Sequence, residues 1–84
     1  MKEKLQKETK KWLDKIEKEI KNIAITEKLE QRQTEEIIKN MKAYISDCKH
    51  FMQIGDWVRA FEAITYAWGI FETCLRAGLI KKQN

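Results

Sequence analysis

Between Gly55 and Leu79 the chain carries apolar residues on two adjoining flanks at helical spacing, and this limits what the whole can fold into. Phe61, Ile64, Trp68, Phe71 and Leu75 form a stripe of large side chains. Ala60, Ala63, Ala67, Cys74 and Ala77 form a stripe of small ones beside it, where another helix can approach closely. Arg59, Glu62, Tyr66, Gly69, Thr73 and Arg76 take the polar side. A helix apolar over roughly two thirds of its circumference needs two neighbours, from its own chain or from a second copy. Its ends are marked. Asp56 suits the N-cap, because its carboxylate can accept from free backbone N–H groups of the first turn. Gly55 suits the left-handed position that closes the preceding helix, and Gly78 ends this one. The Lys81-Lys82-Gln83-Asn84 tail is expected to fray.

The rest of the chain reads as two further helices. Over residues 3–23, Leu5, Trp12, Leu13, Ile16, Ile20 and Ile23 share one face, with Thr9 filling the gap; the other face alternates lysine and glutamate, with partners such as Glu17 and Lys21. Residues 24–33 read as a connection with Leu29 tucked against the core, the alternative being a helix that runs on from Glu27. Thr34 is the expected N-cap of a second helix over residues 34–54. In it Ile37, Met41, Tyr44, Cys48 and Phe51 form one stripe and Ile38, Ile45 and Met52 a second, so this helix is expected to touch both others. With the third helix over residues 56–78, the expectation is an all-α, up-and-down three-helix bundle, one domain over residues 1–84, with a tight hairpin at Gly55-Asp56. Matching helix ends places Trp12, Ile45 and Trp68 near the middle, Ile20, Ile38 and Leu75 at one end, and Leu5, Met52 and Phe61 at the other. No proline and only three glycines leave strands little to nucleate on.

An 84-residue chain supports a core near the lower limit for independent stability, which makes a homo-oligomer or protein partner a live option. Residues 1–23 hold eight lysines against five acids, whereas residues 24–53 balance five basic residues against five acidic. That asymmetry permits weak attraction to nucleic acid but falls short of a dedicated basic patch. No apolar run approaches the ~20 residues of a membrane span, and the amino terminus is charged where a secretion signal is apolar, so a cytoplasmic location is expected. Cys48 lies seven residues before Gly55 and Cys74 nineteen after it, an offset of roughly 18 Å along antiparallel helices, so the two are not expected to pair; both suit small core positions.

Two resemblances follow from the hairpin. Phe51, Gly55-Asp56-Trp57, Ala60, Ile64 and Ala67 are spaced as in the helix-turn-helix of a tetratricopeptide repeat, but with a single copy this is shared hairpin geometry. The second resemblance is carried by Tyr44-x-x-Asp47-Cys48-x-x-Phe51, Gly55-Asp56-x-Val58-Arg59-Ala60-Phe61-Glu62-Ala63, Tyr66-Ala67-Trp68-Gly69 and Gly78-Leu79. Over residues 44–79 the chain resembles the archaeal family known as domain of unknown function 357. This resemblance implies a small three-helix domain and supplies no established activity. The chain departs from the pattern at Phe71-Glu72-Thr73-Cys74, where the family often has Leu-Asp-Ala-Gly.

Chemistry is sparsely equipped. His50, the single histidine, stands two residues from Cys48 and so on another side of the helix, and neither a base beside a poised serine nor a glycine-rich phosphate loop is present. No catalytic, cofactor or metal residue is therefore assigned. Asp47, Arg59, Glu62, Tyr66, Glu72 and Arg76 form the candidate polar surface, around a dent at Gly69. The ordinary arrangement there pairs Asp47 with Arg59 or Tyr66, and Glu62 with Arg59. The expected function is a non-catalytic protein-interaction or self-association module using surplus apolar surface on the second and third helices. The alternative is a nucleic-acid accessory protein using Lys7, Lys10, Lys11, Lys15 and Lys18.

Overall fold

A computed structural model describes residues 2–83. Three helices, α1 (Lys2–Glu19), α2 (Gln31–Gln53) and α3 (Trp57–Arg76), account for most of the chain. Two short strands, β1 (Ile23–Ile25) and β2 (Ile80–Lys82), pair antiparallel with Ala24 opposite Lys81.

The turn between α2 and α3 forms for the reasons its sequence suggests. Gly55 adopts φ +79, and the N–H groups of Gly55 and Asp56 donate to the carbonyls of Met52 and Phe51, which closes α2 in a Schellman arrangement. The Asp56 carboxylate then accepts from the Arg59 N–H at 3.1 Å, capping α3. The far end repeats the device. Gly78 has φ +74, and Gly78 and Leu79 donate to the carbonyls of Leu75 and Cys74.

The third helix is the centre of the bundle. Ala60, Ala63, Ala67 and Cys74 are buried on its small flank, beneath α2. Ile64 and Phe71 are buried as well, and Trp68 packs edge-on against Trp12 of α1 with ring centroids 5.5 Å apart. The Trp68 indole N–H donates to the Trp12 carbonyl at 2.9 Å, so this half-buried ring keeps its polar atom satisfied. Thr9, Leu13 and Ile16 supply the buried face of α1, the Thr9 hydroxyl donating back to the Leu5 carbonyl. α1 and α2 each pack chiefly on α3 and less on each other, so α2 touches both helices as its two stripes imply, but unequally. Their one ion pair among the described residues joins Lys49 to Glu17, which takes Glu17 away from its expected partner Lys21.

Several element boundaries differ from the sequence expectation. α1 stops at Glu19, followed by a 3-10 turn over Ile20–Asn22, and Ile23 belongs to β1 instead of the helix. α2 begins three residues before Thr34, at Gln31, so Thr34 is not a cap; it lies fully buried one turn inside the helix. Leu29 is 40% exposed and does not tuck into the core. The tail is not frayed at residues 80–82. Ile80, 2% exposed, joins the core, and its strand is fastened by Gln83 N–H donating to Asn22 and Thr26 N–H donating to Leu79. The Thr26 hydroxyl also donates to the Gly78 carbonyl. The chain leaves the Gly78 turn with two apolar residues, Leu79 and Ile80, which pack against the core while the strand they begin pairs with Ile23–Ile25.

Candidate functional site

The hairpin brings four of the six sequence-selected polar residues together. Asp47 on α2 and Arg59, Glu62 and Tyr66 on α3 border a shallow hollow of about 320 Å³, walled by Tyr44 and Phe51. Antiparallel helices closing at Gly55 put residues some eight before the turn level with those some eight after it, which is why these side chains meet.

Within the hollow the pairing is not the expected one. Arg59 turns back to Asp56, with its Nε 3.5 Å from Oδ2, and lays its guanidinium over the Phe51 ring at 5.9 Å. Asp47 and Glu62 consequently carry no cationic partner among the described residues. Tyr66 does not bond Asp47 either; it stacks on Tyr44 with centroids 5.3 Å apart and an interplanar angle of 22°. Tyr44 and Phe51 read in the sequence as core stripe. Their half-exposed position at the mouth of the hairpin follows from lying at the edge of that stripe, next to Asp47.

Glu72 and Arg76 lie elsewhere. Glu72 borders a different hollow of about 340 Å³, shared with Trp12, Phe61, Thr65, Trp68 and Gly69 on the α1 side of α3. A further hollow of about 430 Å³ opens on the other side of α3 and again includes Thr65 and Gly69. Gly69 is thus a saddle between two depressions, and a side chain there would meet nothing within 4 Å. Arg76, exposed in the last turn of α3, makes no ion pair among the described residues.

The lysines of α1 are partly engaged. Lys11 and Lys15 hold their ammonium groups 5.3 and 4.9 Å from the Trp12 ring centroid, and Lys10 lies 5.6 Å from that of Trp57. The cysteines are free and buried. Burial, aided by the Glu17 charge and opposed by Lys49, pushes the Cys48 thiol up to about 11, and burial raises Cys74 as well. Neither supplies a thiolate at neutral pH. His50 packs against Phe51, and among the described residues no three histidine, cysteine or acidic side chains converge as a metal site requires. Nor is any helix among them long and apolar enough to cross a membrane.

Residues 10–80 match the family described as "Protein of unknown function (DUF357)". The chain belongs to that family. The match extends well beyond residues 44–79, where the sequence resemblance was carried, and takes in the second half of α1 and the start of β2. Within DUF357 the chain is similar to a solved structure, the crystal structure of protein AF1782 from Archaeoglobus fulgidus. The two are 38% identical, with a TM-score of 0.84 over 98% of this chain and 97% of the other. Among curated proteins nothing matches.

Proposed function

We propose that this DUF357 chain is a non-catalytic interaction module that associates through the open side of the α2–α3 hairpin. One observation carries the reading. Ile54, Val58 and Tyr66 remain 62, 63 and 61% exposed, the apolar surface that the second and third helices carry beyond what the core takes up. α1 covers one flank of α3 and α2 the other, and of these three side chains Tyr66 stacks one face on Tyr44 and leaves the rest of its ring open. The buried, protonated cysteines and the lack of a converging histidine, cysteine and acidic cluster among the described residues favour binding over chemistry. The lysines that hold tryptophan rings are less available to phosphate, which favours a protein partner over nucleic acid.

The test is the mass in solution, by light scattering from about 10 µM to about 1 mM, the range in which a small interface becomes populated. Val58→Glu and Tyr66→Glu are expected to lower the association while leaving helical content unchanged, since both positions are exposed. A monomer throughout this range, with no partner retained from native extract that Val58→Glu releases, would overturn the proposal.

A further inference from the structure

The outer face of α3 is its own complement. Taking Gly69 as origin, Thr65 and Thr73 stand four residues to either side, and Glu62 and Arg76 seven to either side. At ~100° per residue, Glu62 and Arg76 fall within roughly 20° of the glycine's direction and the threonines within roughly 40°. All five residues are exposed. The Thr65 hydroxyl is turned inward to the Glu62 carbonyl at 2.8 Å, which keeps the face low near the glycine. Glu62 and Arg76 have no ion-pair partner among the described residues.

We infer that this face docks a second copy of the chain, α3 against α3 in antiparallel, about a two-fold axis through Gly69. The inference rests on the interaction reading above and names the partner and the contact. Two observations besides the small side chains select it. First, the order of charge is decisive: an antiparallel two-fold pairing sets Glu62 against Arg76 of the second copy at both ends, some 10 Å either side of the axis. A parallel pairing would set Glu62 against Glu62 and Arg76 against Arg76. The small opposite offsets of the two charges come into line when the helices cross at about 20°, one of the preferred packing angles. Second, Gly69 lies in the middle of a 20-residue helix with nothing for a side chain to strike. Glycine there weakens the helix by about 1 kcal/mol relative to alanine, and the fold of the single chain gives no reason for it. At the crossing point of two helices the reason is close approach. The contact between two such faces is smaller than the ~800 Å² per partner of a standard interface, so the dimer is of the weak, concentration-dependent kind.

Glu62→Arg, Arg76→Glu and an equimolar mixture of the two variants test this by sedimentation in low salt. Each single variant faces like charge at both ends of its own dimer and is expected to associate about tenfold more weakly than the parent. In the mixed dimer the introduced Arg at 62 meets the introduced Glu at 76 at one end and the original Arg76 meets the original Glu62 at the other, so both ends are opposite in charge and association is expected to return. Gly69→Leu is expected to abolish association while the monomer stays folded, the space around that position being open. Should the parent dimerise and both charge variants dimerise as tightly, the antiparallel α3 contact is overturned while the interaction reading stands. Association lost in Val58→Glu and Tyr66→Glu but retained in Gly69→Leu overturns that contact in the same way. A parent that is monomeric at every concentration overturns the second-copy inference outright.

Discussion

Thr34 shows how a single atom can be misplaced by an otherwise correct pattern. Its hydroxyl is buried in α2 with no hydrogen-bond partner among the described residues, a position that usually costs about 1–3 kcal/mol. Thr34→Val keeps the shape and removes the orphan, so it is expected to stabilise the fold by about 1 kcal/mol in urea unfolding; a loss of stability would mean that the hydroxyl has a partner. Asp56 is the opposite case, a polar group whose carboxylate oxygens are both used. Asp56→Ala removes the cap of α3 and the anchor of Arg59, and unfolding should become easier by about 1 kcal/mol. Cys48 links stability to pH. Its thiol holds its proton more tightly folded than unfolded, from an ordinary 9.0 up to about 11, so the unfolded chain ionises first as pH rises. Its contribution is complete below pH 9.0 and is lost as pH climbs toward about 11. Unfolding curves at neutral and alkaline pH should therefore diverge more in the parent than in Cys48→Ala.

At the scale of elements, what could be read in advance was whatever the three-four spacing repeats. Ala60, Ala63, Ala67 and Cys74 are buried where their stripe requires, and Gly55-Asp56 and Gly78 end or start helices through local bonds that any such turn makes. The strands were not legible, for a physical reason. Ile23 continues the phase of Ile16 and Ile20, so it looks like one more helical turn, and three-residue strands are too short to show alternation. The usable signal was Leu79-Ile80, an apolar pair placed after a helix-ending glycine, where a loose tail has no use for it. Ile80→Ala tests how much the clasp matters and is expected to cost about 2–4 kcal/mol. The candidate polar surface was legible in part. Asp47, Arg59, Glu62 and Tyr66 meet because the hairpin register follows from Gly55, but whether Arg59 would choose Asp56 over Asp47 or Glu62 depends on side-chain rotamers that periodicity does not encode.

At the scale of the molecule, the pairing of β1 with β2 turns a string of helices into a closed loop. α2 and α3 lie next to each other along the chain and can zip from Gly55 outward, whereas the strands meet only after roughly fifty intervening residues have been arranged. Assembly is then expected to run from the middle of the sequence outward, with the joining of the exit of α1 to the carboxy-terminal segment coming late, an order that residue-by-residue folding rates would check. The same seam is expected to part first, with its amide hydrogens exchanging ahead of those of the helices. Tension applied to the carboxy-terminal end reaches three residues of ladder before it reaches any helix, so the molecule yields there like a zip with its slider at one end.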